Sequence, residues 1–168
     1  MNIIGTMRAV DATRGAVRVE DTYDTDIDDL WEACTQPERL ARWIAEVSGD
    51  LRLGGEFHAR FTSGWDGMGR VDVCEPPHRL LLTTWEAGQP EEQVIEATLT
   101  RDGDRTILVI EERGLPLEQL AEYGAGWQIH MEDLGAHLAG GERREITSRW
   151  DELIGLYRQK TETQPVVD

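Results

Sequence analysis

The 168-residue sequence predicts an α+β fold: a seven-stranded, curved antiparallel sheet, two short helices, and one long C-terminal helix over the concave face. Three observations carry this expectation. Between Asp50 and Arg113 apolar residues recur at every second position, the period of a half-buried strand. The breaks between these runs are short and rich in glycine and proline, which joins neighbouring antiparallel strands rather than parallel ones. Beyond Pro116 the period lengthens to that of a helix, and only this segment is long enough to cover one face of such a sheet.

Each element has its own signal. Residues Ala16 to Tyr23 alternate Val17, Val19 and Asp21 with Arg18, Glu20 and Thr22, and Thr6 to Val10 is a candidate hairpin partner across Thr13-Arg14-Gly15. Thr25 is the expected cap of a first short helix, with Asp26, Asp28 and Asp29 near its positive end. Ile27, Leu30, Trp31 and Cys34 give that helix one apolar stripe. Thr35-Gln36-Pro37-Glu38 reads as a capping box with proline in the first turn, and Leu40, Trp43 and Ile44 form the buried side of a second helix. Six strands follow at 50–53, 55–61, 68–75, 79–86, 92–101 and 105–113. Leu117, Leu120, Trp127, Met131, Leu134 and Leu138 share most of one helical face, and Gly140-Gly141 stops the helix. Gly124 and Gly126 weaken it and mark a candidate break near its middle. Trp150, Leu153, Ile154 and Tyr157 then form an amphipathic helix that packs back on the body. The expected organisation is a domain over 1–140, a helical extension of it over 141–160, and a disordered tail over 161–168.

Composition narrows the function. With 33 acidic against 17 basic residues the net charge is −16, which repels phosphate backbones and anionic membrane surfaces. Neither nucleic acid nor membrane is therefore an expected partner. No apolar run approaches the ~20 residues of a bilayer span, and residues 1–10 do not read as a secretory signal. Cys34 and Cys74 supply neither a disulfide framework nor a metal pair, so a cytoplasmic location and buried structural thiols are expected.

The run Tyr23-Asp24 through Trp31, then Thr35-Gln36-Pro37-Glu38-Arg39-Leu40 to Trp43, resembles the signature of chaperone-ATPase-activator-like proteins. Gly54-Gly55, Cys74-Glu75-Pro76-Pro77, Thr84-Trp85 and Gly126-Trp127 add to it, over roughly residues 16 to 140. These proteins belong to the START-like, helix-grip superfamily, also described as polyketide-cyclase-like. The resemblance implies a helix-grip fold with a cavity between sheet and long helix. It leaves the activity open among ligand carriers, cyclases, hydratases, aromatase-like enzymes, sensors and co-chaperones, because fold alone does not settle function.

The candidate site residues follow from where that cavity would lie. Trp43, Phe57, Phe61, Trp85 and Trp127 supply aromatic rings for either a core or a pocket. Leu108, Ile110, Met131 and Leu134 would line the same space. Glu112 continues the face of Leu108 and Ile110, where an ionisable group is costly unless paired or protonated; the alternative is a strand that twists out to solvent there, with Glu111 and Arg113 sharing the surface. His130 follows Trp127 by three positions and is a core histidine, a ligand donor or a general acid. Trp65, in a glycine-flanked turn, suits a pocket rim or a contact with another chain. His58, His78 and His137 lie off the buried faces, and no arrangement of the four histidines suits zinc. No nucleophile elbow, phosphate loop or dinucleotide fingerprint is present, so no cofactor is expected.

Three functions compete on these grounds. The first is binding of a small hydrophobic or aromatic ligand. The second is a cyclase- or hydratase-like enzyme using Glu112 and His130. The third is a protein-interaction role, with a chaperone or a second copy of the chain as partner.

Overall fold

Every described strand lies in one sheet of order β1-β2-β8-β7-β6-β5-β4-β3, antiparallel throughout, in a computed structural model that describes residues 3–143 and 145–163. The strands are β1 (Gly5–Ala9), β2 (Arg14–Tyr23), β3 (Ala45–Gly49), β4 (Glu56–Phe61), β5 (Asp66–Glu75), β6 (Arg79–Glu86), β7 (Glu92–Asp102) and β8 (Arg105–Pro116). The helices are α1 (Ile27–Thr35), α2 (Pro37–Trp43), α3 (Leu120–Leu138), entered through a 3₁₀ turn at Leu117–Gln119, and α4 (Ile146–Thr163). The sheet has eight strands rather than seven, because the hairpin partner of β2 forms as β1. None of the described helices is long and apolar enough to cross a membrane.

Alternation sets the register. Val17 and Val19 of β2 stand opposite Glu112 and Ile110 of β8, and Val17, Val19, Leu108 and Ile110 are all buried. The pairing slips at Gly15/Ala16 and between Val71 and Val73. Such bulges bend a strand and increase its twist. Ala125, Met131 and Leu134 of α3 have no measurable exposure and join those strands in one core with Tyr23, Leu30 and Leu99.

Several local expectations are corrected. The segment 50–53 is a loop, and the strand lies five residues earlier at β3. Asp50 explains the loop: its carboxylate accepts from the Arg52 amide and guanidinium at 3.0–3.2 Å. Asp26, not Thr25, caps α1, accepting from the Asp29 amide at 2.8 Å, while the Thr25 hydroxyl donates to the Asp29 side chain. The capping box of α2 does not form, because the Thr35 hydroxyl donates to the Trp31 carbonyl and Gln36 occupies the cap. Helix α3 runs unbroken through both glycines. Helix α4 extends to Thr163, so the tail expected to be disordered from Thr161 is helical there; its residues 164–168 lie outside the described residues.

Helix α4 docks through Tyr157. Its hydroxyl donates to Gln128 Oε1 at 2.7 Å, and the Ile4 amide donates to the same oxygen at 3.2 Å. A Cβ on Gly5 would lie 2.5 Å from that hydroxyl, and one on Gly124 2.6 Å from the ring, so two glycines form the notch that holds it.

Candidate functional site

One stripe of α3 faces the sheet with an unusual composition. Tyr123, Gly126, Trp127 and His130 follow at steps of three, one and three, which places them on one side of the helix. They form one wall of a cavity of about 300 Å³. The sheet contributes Phe61, Thr84, Glu86, Ile95 and Glu112, the β4–β5 turn contributes Ser63, Gly64 and Trp65, and α4 contributes Trp150. Deeper in the fold a second, apolar cavity of about 180 Å³ lies among Trp43, Phe57, Leu80, Leu82 and Ile110. Phe61, Thr84, Ile95 and Trp127 line both cavities, so these side chains form the partition between them.

The partition is aromatic. Phe61 meets Trp65 edge to face at 5.3 Å, His130 at 5.7 Å and Trp127 at 6.4 Å, and Trp127 meets His130 at 5.7 Å. Such pairs prefer these tilted geometries because ring edges are positive and faces negative.

Two ionisable groups are buried in this wall. Glu112 is 6 % exposed, and its Oε1 accepts from the Trp127 indole N–H at 2.8 Å. Burial pushes its carboxyl up to about 7, while the Trp127 bond acts the other way. His130 is 3 % exposed. Burial lowers it to about 4, the charge of Arg143 adds to this, and the Trp43 backbone opposes both. At neutral pH the imidazole is therefore uncharged, and burial favours the protonated form of the carboxyl.

Polar atoms without partners collect at the same place. Among the described residues, four buried side-chain atoms have no hydrogen-bond partner: Thr62 Oγ1, Thr84 Oγ1, Glu122 Oε2 and His130 Nδ1. Thr84, Glu122 and His130 all line the outer cavity. Nearly all buried polar groups in folded proteins are satisfied, so three exceptions around one space make it the candidate site.

The model of one family, Activator of Hsp90 ATPase homolog 1-like protein, matches residues 24–139. The chain belongs to this family. No curated protein matches the sequence. Among solved structures, CalU16 from Micromonospora echinospora is 29% identical, with a TM-score of 0.77 over 95% of this chain and 96% of that one. DynU16, a protein of the dynemicin biosynthetic locus, is 30% identical with a TM-score of 0.71, over 78% of this chain and 50% of that one. MLL2253 from Mesorhizobium loti is 27% identical with a TM-score of 0.66, over 74% and 97% of the two chains. The family's helix-grip architecture is thus the architecture of this chain.

Of the residues predicted from sequence, Phe61, Glu112, Trp127 and His130 come together around the outer cavity. Trp43, Phe57 and Ile110 line the inner one. Leu108, Met131 and Leu134 line neither; they are fully buried in the main core, where the close approach of α3 to β2 leaves no gap. Trp85 is also placed elsewhere: its neighbour Thr84 faces inward, so the strand period turns Trp85 to the opposite face. Sequence reasoning missed Thr84, Glu86, Glu122, Tyr123, Gly126 and Trp150. Tyr123, Trp127 and His130 carry a signal at i, i+4 and i+7, but Trp150 belongs to a separate helix and gives none.

The remaining histidines and the thiols have local roles. His58 Nε2 lies 2.6 Å from Asp66, His78 Nδ1 lies 3.3 Å from the Leu99 carbonyl, and Arg39 donates to His137 Nε2 at 3.1 Å. Burial pushes the Cys34 thiol up to about 12, which removes it as a nucleophile. Among the described residues no cluster suits a metal ion.

Proposed function

We propose that the protein binds a small molecule with an aromatic or apolar body in the outer cavity between the sheet and α3. The observation that carries this reading is the convergence of three unpartnered polar atoms on a space walled by aromatic rings. Each such atom costs about 1–3 kcal/mol when left unsatisfied, and the polar groups of a ligand offset that cost. Aromatic walls with a few convergent polar groups are the ordinary make-up of a small-molecule site. DynU16 belongs to a biosynthetic locus, which supports a small molecule over a protein as the object of recognition. Val10 and Leu53 are the large exposed hydrophobics among the described residues, and they lie in turns next to β1 and β3, at opposite edges of the sheet. That separation lends no support to a chaperone-docking face.

Gly126 supplies the test. A Cβ there meets nothing within 4 Å and Gly126 lines the cavity, so a larger side chain starts from open space and takes up cavity volume. Native mass spectrometry of freshly purified protein is expected to reveal a bound compound, and Gly126→Leu is expected to lose it without a fall in Tm. A Leu variant that retains the compound would remove this reading. So would a wild type that carries none and gains no thermal stability from any aromatic probe.

A second reading, an acid–base enzyme, is favoured by one observation: Glu112 and His130 line the same cavity, both within reach of Trp127. A carboxyl that holds its proton near neutrality suits a general acid. Wild-type protein should then convert the co-purified compound and Glu112→Gln should not. A compound unchanged by both proteins sinks the idea.

A further inference from the structure

We infer that the outer cavity selects an organic cation, a protonated amine carried on an aromatic body. This inference rests on the binding reading above and names the charge of the ligand.

The lining is one-sided in charge. Glu86, Glu112 and Glu122 face the space, and no lysine or arginine among the described residues lines it. Two cations act from outside. Arg158 donates to Glu122 Oε1 at 3.4 Å, which leaves Oε2 without a partner. The charge of Arg143 reaches His130 from the neighbouring surface groove. An anion in the cavity would face three carboxyl groups, only one of them, Glu122, paired with a cation, and that cation stands outside the lining. The net charge of −16 adds a long-range field of the same preference.

The rings point to the same class. Phe61, Trp65, Trp127 and Trp150 surround the space together with Tyr123. The negative faces of such rings attract an ammonium group, most strongly where water is excluded, and grouped aromatics are how quaternary and methylated amines are recognised elsewhere. A neutral ligand would use the rings only for contact area. Thr84 Oγ1 and His130 Nδ1, on side chains each 3 % exposed, are unpartnered at the same wall and add polar recognition that a purely apolar guest would leave unused.

Protonation supports the assignment. Glu112 faces Trp127, Tyr123, Glu122 and His130 from α3 and Glu86 from β6. Burial favours its protonated form against the Trp127 hydrogen bond, and a cation beside it would draw the proton off. His130 stays uncharged at neutral pH and does not repel the guest. Amine binding should therefore release a proton and tighten as pH rises through about 7.

Three probes with one ring system separate the possibilities. Isothermal titration calorimetry at about pH 8 would use 1-naphthylmethylamine, 1-naphthalenemethanol and 1-naphthoate. The amine is expected to bind at least about tenfold more tightly than the alcohol, and the naphthoate to give no heat. The ratio should shrink as pH falls to about 6 and should narrow in Glu112→Gln. An alcohol or naphthoate that binds as well as the amine overturns the charge preference and leaves the cavity reading standing. No heat from any probe overturns both. If Glu112→Gln proves unfolded, Glu86→Gln at the exposed mouth carries the same expectation, and a ratio unchanged there counts against the inference.

Discussion

Burial moves Glu112 and His130 in opposite directions, and their effects on stability oppose each other. The folded Glu112 carboxyl titrates near 7 against an ordinary 4.5. The native state therefore holds more protons than the unfolded chain across that window, and stability falls as pH rises through it, by about 3 kcal/mol in all. His130 titrates near 4 against an ordinary 6.5. Here the unfolded chain holds more protons, so stability rises with pH from about 4 to 6.5 by a similar amount. Between about 4.5 and 6.5 the two slopes cancel, and the pair contributes almost nothing to the pH profile of the wild type. Urea unfolding should expose each slope once its opponent is removed: in Glu112→Gln stability should climb across that interval, and in His130→Gln it should fall. Parallel profiles for wild type and both variants would mean that neither group titrates abnormally. The strand period put Glu112 on the face of Leu108 and Ile110 but left open a twist out to solvent there; the Trp127 bond that holds it inward comes from a separate helix. The lack of a partner for His130 Nδ1 was not legible, because it depends on how Phe61 and Trp127 close around the ring.

Within α3 two glycines separated by one residue face different neighbours and should respond oppositely to the same change. At Gly126 a methyl group enters open space, and Gly126→Ala should stabilise the protein by about 0.5–1 kcal/mol through helix propensity alone. At Gly124 the methyl group would lie 2.6 Å from the Tyr157 ring, so Gly124→Ala should cost about 1–3 kcal/mol despite the same gain in propensity. Thermal melts of the two variants decide this, and equal shifts would contradict it. Element order and most strand positions were readable because alternation and turn residues are local signals. The strand at Ala45–Gly49 was hidden directly behind α2, where the α2 C-cap Ile44 continues the apolar pattern of the helix, and the loop after it holds leucines at 51 and 53 that mimic a strand. The caps of α1 and α2 went to neighbouring residues because Thr25 and Thr35 found other partners within the same turn.

The molecule as a whole joins its site from parts far apart in sequence: the β4–β5 turn, the last strand, α3 and α4. Trp150 places α4 in the wall of the outer cavity, so loosening this helix should weaken ligand binding as well as stability. Arg149 anchors it, donating to Glu132 Oε1 at 2.6 Å from a side chain only 14% exposed. Arg149→Met is expected to lower Tm and to raise the Kd of any cavity ligand, because it removes the ion pair and hydrogen bonds that tie α4 to Glu132 of α3. A variant that melts earlier yet binds unchanged would separate α4 from the site.

Tyr157 has a consequence for cooperativity. Its phenol occupies a notch cut jointly from the first strand and α3, and Lys160 donates to the Gly5 carbonyl at 2.9 Å. Strand β1 and helix α4 are thereby latched to each other. Backbone amides of Gly5–Ala9 and of α4 should exchange with deuterium at one shared rate, as a single opening unit, and Tyr157→Ala should accelerate both together while the β5–β6 hairpin keeps its protection.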